Sequence, residues 1–139
     1  MRSFLIITVL ATAAVLPVSA PAANPSPWTT QANQVCTVYL AKAKKEFGTP
    51  VKPSQLYGFA VKAKALESEE LGVLQQIPGR NAAGTRALAA MRADVAEVSS
   101  AISAWNHGDK AQFIQILKKY LNDHRAKDAF AAAGATQCG

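Results

Sequence analysis

Apolar side chains recur along the chain at intervals of three and four, and nowhere alternate usefully at intervals of two. That spacing predicts helices and no strands. The third of four predicted helices is the clearest. Leu88, Met91, Val95, Val98, Ile102 and Trp105 step by 3, 4, 3, 4 and 3, a seam along which one helix packs on another. Asn81 is its expected cap, and Asn106-His107-Gly108 its end. The first helix is expected from Thr29 or Thr30, through Ala32, Val35/Cys36, Tyr39/Leu40, Ala43 and Phe47, to Gly48 and Pro50. The second starts near Pro53-Ser54 and carries Leu56, Phe59, Ala63, Leu66, Leu74 and Ile77 on one face, which Glu70 interrupts. Gly58 and Gly72 each cost that helix about 1 kcal/mol against Ala, and Pro78-Gly79 signals a turn. The fourth opens with Asp109 and Gln112 in a capping-box pattern. Its expected buried stripe is Phe113, Ile116/Leu117, Tyr120/Leu121, His124 and Ala131, ahead of Gly134.

Four helices joined by short connections make neighbours antiparallel. The predicted fold is therefore all-α, an up-down-up-down antiparallel four-helix bundle over residues 29–139, with Trp105 a buried anchor in its seam.

Residues 1–22 carry the three parts of a secretory signal. Arg2 supplies positive charge, Phe4 to Leu16 are apolar, and small residues lead to Ala20-Pro21-Ala22, an A-x-A cleavage pattern. Cutting after Ala20 would leave proline at the first mature position, so cleavage is expected after Ala22. A membrane-spanning helix needs about 20 apolar residues. The stretch here is shorter and breaks at Pro17, which predicts release outside the cell or into the envelope space. Residues 23–28, rich in proline, read as a flexible leader.

Cys36 and Cys138 gain their meaning from that signal, because exported cysteines are oxidised. In the up-down-up-down course, the start of the first helix and the end of the fourth share one end of the bundle. One disulfide joining the first helix to the C-terminus is the expectation; free thiols or an intermolecular bridge are the alternative.

The formal net charge of +6 suits both solubility and contact with anionic surfaces. Nucleic acid is not an expected partner, since no compact Lys/Arg block or basic-aromatic stripe is present. Placed on the bundle, Lys42, Lys44, Lys45, Lys52, Lys62, Lys64, Lys110, Lys118 and Lys119 fall in the half far from the cysteines, against only Glu46 and Asp109. Arg80, Arg86, Arg92, Arg125 and Lys127 share the cysteine half with Glu67, Glu69, Glu70, Asp94, Glu97, Asp123 and Asp128. Lys42, Lys44, Lys45, Lys52 and Lys110 are thus candidate binding residues for an anionic envelope component or a protein partner. Scattered solvated charge is the other reading.

Together Cys36, Leu74-Gln75-Gln76-Ile77-Pro78, Gly108-Asp109 and Cys138-Gly139 form a familiar pattern. On them the chain resembles a loosely defined group of small exported actinobacterial helical-bundle proteins with an N- and C-terminal cysteine pair. The resemblance implies a fold and a compartment, and supplies no catalytic residues.

Candidates for chemistry are few. Ser103 and His107, four apart on one helix, can touch, but only Asp109 could orient the imidazole and no strained turn presents the serine. His124 has Asp123 and Asp128 beside it, half a metal site at most. Tyr39, Tyr57, Tyr120, Met91 and His124 are the side chains able to hold haem or line an apolar ligand site between helices. The sequence therefore reads as a secreted, non-catalytic bundle that binds through its lysine-rich end, with no metal and no cofactor. The alternative is an extracellular carrier of a small apolar ligand or haem within the bundle.

Overall fold

The computed structural model describes residues 26–48 and 51–138. The predicted signal peptide and residues 23–25 of the predicted leader lie outside the described residues. Among the described residues the regular elements are all helical: α1 (Pro27–Phe47), α2 (Leu56–Gln76) after a 3₁₀ turn at Pro53–Gln55, α3 (Ala82–Asn106), α4 (Lys110–Leu121) and α5 (Arg125–Ala132). No helix among them is long and apolar enough to cross a membrane.

The helix starts follow local chemistry. Asn81 accepts from Gly84 N–H at 2.8 Å to cap α3, and Asp109 accepts from Gln112 N–H at 2.9 Å to cap α4, as the sequence predicts. Helix α1 begins earlier than expected. Ser26, not Thr29 or Thr30, caps it, accepting from Thr29 N–H at 3.1 Å, and Pro27 takes the first helical position, where its missing N–H costs nothing. The end of the predicted leader is therefore helical, and Trp28 is 0% exposed. Its ring lies so close to α3 that a Cβ added to Gly84 would sit 3.0 Å from two ring carbons.

The predicted fourth helix is two helices. Asn122 turns back to donate from its amide to the Lys118 carbonyl at 2.7 Å, closing α4. Asp123 accepts from Arg125 N–H at 2.9 Å and opens α5. His124, expected on the buried stripe, is instead exposed in the turn. Side chains that satisfy free backbone groups outweigh a continuing apolar pattern. Gly134, with φ +80°, follows α5 as the expected left-handed terminus.

Helix α3 is the hub: α2, α4 and α5 all pack on it, while α1 packs on α2. Tyr57 at the start of α2 donates to the Asn106 side chain at the end of α3, 3.1 Å away, so these two helices run antiparallel. Glu46 pairing with Lys62, and Lys42 with Glu69 at 2.9 Å, set the same relation between α1 and α2. The chain after α5 returns to α1. Thr29 hydroxyl donates to the Ala133 carbonyl at 3.2 Å, and Cys36 and Cys138 form a disulfide with Cα atoms 4.9 Å apart.

Two apolar clusters result. One, at the disulfide end, gathers Trp28, Cys36, Leu74, Leu88, Met91 and Phe130. The other, at the opposite end, gathers Ala60, Val98, Ala101, Phe113 and Leu117. Trp105 rims the second cluster. Expected to be buried, it is half-buried, stacked on Tyr57 at 5.2 Å and edge-on to Phe113 at 5.0 Å, with the Lys110 ammonium 5.3 Å from its ring centre.

Candidate functional site

Between the two clusters the interior turns acidic. Ala60, Ala63, Glu67, Glu70, Leu74 and Ile77 step by three and four along α2, so the two glutamates occupy seam positions. On α3 the step from Met91 to Val98 passes through Asp94 in the same way. Tyr120, one turn beyond Leu117 on α4, comes from the third side and donates its hydroxyl to Glu67 Oε1. Glu67 Oε2 and Asp94 Oδ1 are buried with no hydrogen-bond partner among the described residues.

Burial sets the electrostatics. It pushes the Glu67 carboxyl up to about 7, with the Asp94 charge adding to the shift and the Tyr120 hydrogen bond opposing it. Glu70 also rises to about 7, through burial and then the Glu67 charge. Asp94 rises to about 6, chiefly by burial, with Asp123 adding and Arg125 opposing. Burial and the neighbouring Glu67 carboxylate hold the Tyr120 phenol far above its ordinary range. These groups keep protons at a pH where ordinary carboxylates have lost them.

Two clefts meet at this layer. The first, of ≈ 360 Å³, lies between α2, α3 and the α4–α5 turn; Met91, Phe130 and Cys138 line it together with Glu67, Glu70 and Asp94. The second, of ≈ 240 Å³, opens between α1 and α2 and is mostly apolar, with Tyr39, Leu40, Phe47, Phe59, Ala63 and Leu66 on its walls. Glu67, Glu70 and Tyr120 line both. The disulfide stands at their border, Cys36 on the second and Cys138 on the first.

The structure assembles some sequence candidates and separates others. Met91, Tyr120 and His124 share the first cleft, and Tyr39 joins Tyr120 on the second. Tyr57 stands apart, against Trp105. His107 Nδ1 lies 2.7 Å from the Ser103 carbonyl oxygen and 3.5 Å from the Ser103 hydroxyl. A nitrogen that donates to the carbonyl cannot also take the hydroxyl proton, and Asp109 is occupied as the α4 cap. Asp123 turns from His124 toward Asp94 and Glu97, the three offering oxygens within 4.8 Å of one another. Lys119 and Arg125 already compensate two of the three, Glu97 and Asp123. Lys119 lies 2.5 Å from Glu97, and Arg125 lies 3.7 Å from Glu97 and 2.5 Å from Asp123, whose carboxyl its hydrogen bonds lower to about 2.

The lysine distribution also differs from expectation. Lys119, placed with the far end, pairs with Glu97 at mid-height, and Lys62 pairs with Glu46. Lys42 donates to Glu69, and its ammonium lies 4.2 Å from the centre of the Tyr39 ring. Lys44, Lys45, Lys52 and Lys110 are exposed and enter no ion pair among the described residues.

Sequence reasoning saw Glu70 as an interruption and missed Glu67, Asp94 and Tyr120 as its neighbours. The signal was present in the three-and-four steps running straight through the acids. Comparison with protein-family models, curated proteins and solved structures finds no match to this chain.

Proposed function

We propose that this is an exported, non-catalytic binding protein whose ligand site is the cleft across the middle of the molecule. In this reading the helices form an up-down-up-down bundle, with α4 and α5 as a broken fourth helix, and the protein carries a small, largely apolar ligand. The observation that carries it is the second cleft: a mostly apolar lining that includes the desolvated Glu67 and Glu70, neither paired to a cation among the described residues. Small-molecule sites have this composition, an apolar enclosure with a few convergent polar groups. Haem fits it poorly. Its propionates would meet carboxylates, and Tyr120, held protonated against Glu67, is a weak iron ligand.

Native mass spectrometry of protein from its own secretion tests the reading. A bound small molecule is expected on the wild type and should be lost from Ala43→Trp, which fills the second cleft from its half-buried wall. A bare wild type, or a ligand retained in Ala43→Trp, overturns it.

Exposed Lys44, Lys45, Lys52 and Lys110 favour a second reading, adhesion to an anionic envelope surface. Vesicles with anionic headgroups should then bind the chain, weakening steeply toward physiological salt, where charges are screened beyond about 8 Å. Replacing these four lysines by glutamine should abolish the binding while leaving the cleft ligand in place. Vesicle binding that persists in that variant contradicts this reading.

A further inference from the structure

We infer that the ligand of the cleft is an organic cation, an ammonium-type head on an apolar body. The inference rests on the cleft reading above and adds the ligand's charge.

The chain as a whole is basic, yet the lining of the apolar cleft includes two acids. Glu67 and Glu70 stand there together, with Asp94 beyond them on the first cleft. No cation pairs with any of the three among the described residues. One oxygen of Glu67 and one of Asp94 are buried without a hydrogen-bond donor. A buried carboxylate left unpaired is costly, and it is relieved either by taking a proton or by meeting a cation. A neutral ligand would exclude more water and leave the acids unpaired. An anionic one would add repulsion.

The walls select the rest of the molecule. Tyr39, Phe47, Phe59, Leu66 and Ala63 line room for an alkyl or aromatic body. A bare metal ion has no use for such walls. Among the described residues, the carboxylates close enough to share one ion are Asp94, Glu97 and Asp123, and Lys119 and Arg125 already pair with Glu97 and Asp123.

Capture of a cation should weaken with acid. The titratable groups lining the two clefts are Tyr39 from α1, Glu67 and Glu70 from α2, Asp94 from α3, Tyr120 from α4, Asp123 and His124 from the turn, and Lys127 from α5. With Glu67 and Glu70 titrating about 7, both are neutral at pH 5 and largely charged at pH 8. An alkylammonium keeps its charge across that range.

The test compares decylamine, decanol and decanoate by calorimetry on the disulfide-bonded protein at pH 8. Decylammonium should bind about tenfold tighter than decanol, the value of one charge-assisted contact, and decanoate weakest. The preference should shrink at pH 5, and it should vanish in Glu67→Gln/Glu70→Gln while decanol binding stays. If the double variant fails to fold by circular dichroism, Glu70→Gln and the wild-type pH series decide. Equal binding of decylammonium and decanol overturns the inference and leaves the carrier reading standing. A preference that survives the variants or the acid also overturns it, because the head must then sit elsewhere. Binding of none of the three removes both.

Discussion

Trp28 shows how much one side chain settles. Its ring is fully buried against Gly84, where a Cβ would crowd two ring carbons at 3.0 Å and Arg80 Cγ at 2.9 Å. Trp28→Ala should cost about 3–5 kcal/mol, as core aromatic truncations do. Gly84→Ala should cost about 1–3 kcal/mol by overpacking. In the Trp28→Ala background the cost should shrink, because the ring contact is gone and only the Arg80 Cγ contact at 2.9 Å remains. Urea unfolding of the four members of this cycle checks the contact; additive effects would show that Trp28 and Gly84 do not touch. The sequence hid Trp28 behind the prolines of residues 23–28, although Ser26-Pro27 is itself a helix-start signal. It was more open about Glu67 and Glu70, whose positions continue the α2 seam; what it could not display was their desolvation, which depends on Tyr120 and Asp94 arriving from other helices.

At the scale of elements, the periodic pattern predicted α1, α2 and α3 and their turns, because capping residues and glycines agreed with the apolar steps. It failed at residues 122–124, where Asn122 and Asp123 satisfy backbone groups that an unbroken helix would use. That break carries α5 onto α3 and places the turn on the wall of the first cleft. Asp123 is the hinge of this arrangement, its side chain only 10% exposed and hydrogen-bonded to Arg125 twice over. Asp123→Ala should weaken the start of α5 by about 1 kcal/mol, the usual value of one lost hydrogen bond, here the one it accepts from Arg125 N–H. Hydrogen exchange should accelerate in α5 and stay unchanged in α2 and α3. Uniform acceleration in all helices would mean that the turn has no local role.

For the whole molecule, two features govern stability: a covalent tie and the acidic layer. The disulfide spans a sequence separation of 102. Closing a loop of that length restricts the unfolded chain by about 4–5 kcal/mol, so reduction should lower the urea midpoint strongly while circular dichroism in water retains helicity. Loss of all helical signal on reduction would show that the two apolar clusters cannot hold the helices unaided. The acidic layer makes stability depend on pH. Glu67 and Glu70 rise from 4.5 to about 7 on folding, so between those values the folded chain binds more protons than the unfolded one. Their contribution is fully present below pH 4.5 and is lost as pH rises through about 7. Asp94 acts in the same direction, whereas Asp123, lowered to about 2, has finished titrating below this window. The glutamate pair should make the protein more stable at pH 5 than at pH 8 by on the order of 3–5 kcal/mol, seen as a higher thermal midpoint. In Glu67→Gln/Glu70→Gln this difference should largely disappear. An equal midpoint at the two pH values in the wild type would deny the layer its effect on stability. The most direct measurement of the central claim, that desolvated carboxylates line a cleft inside this bundle, is an NMR titration of the Glu67 and Glu70 side-chain carboxyls in the folded protein. Midpoints about 7 for both are predicted, and ordinary midpoints near 4.5 would contradict the account.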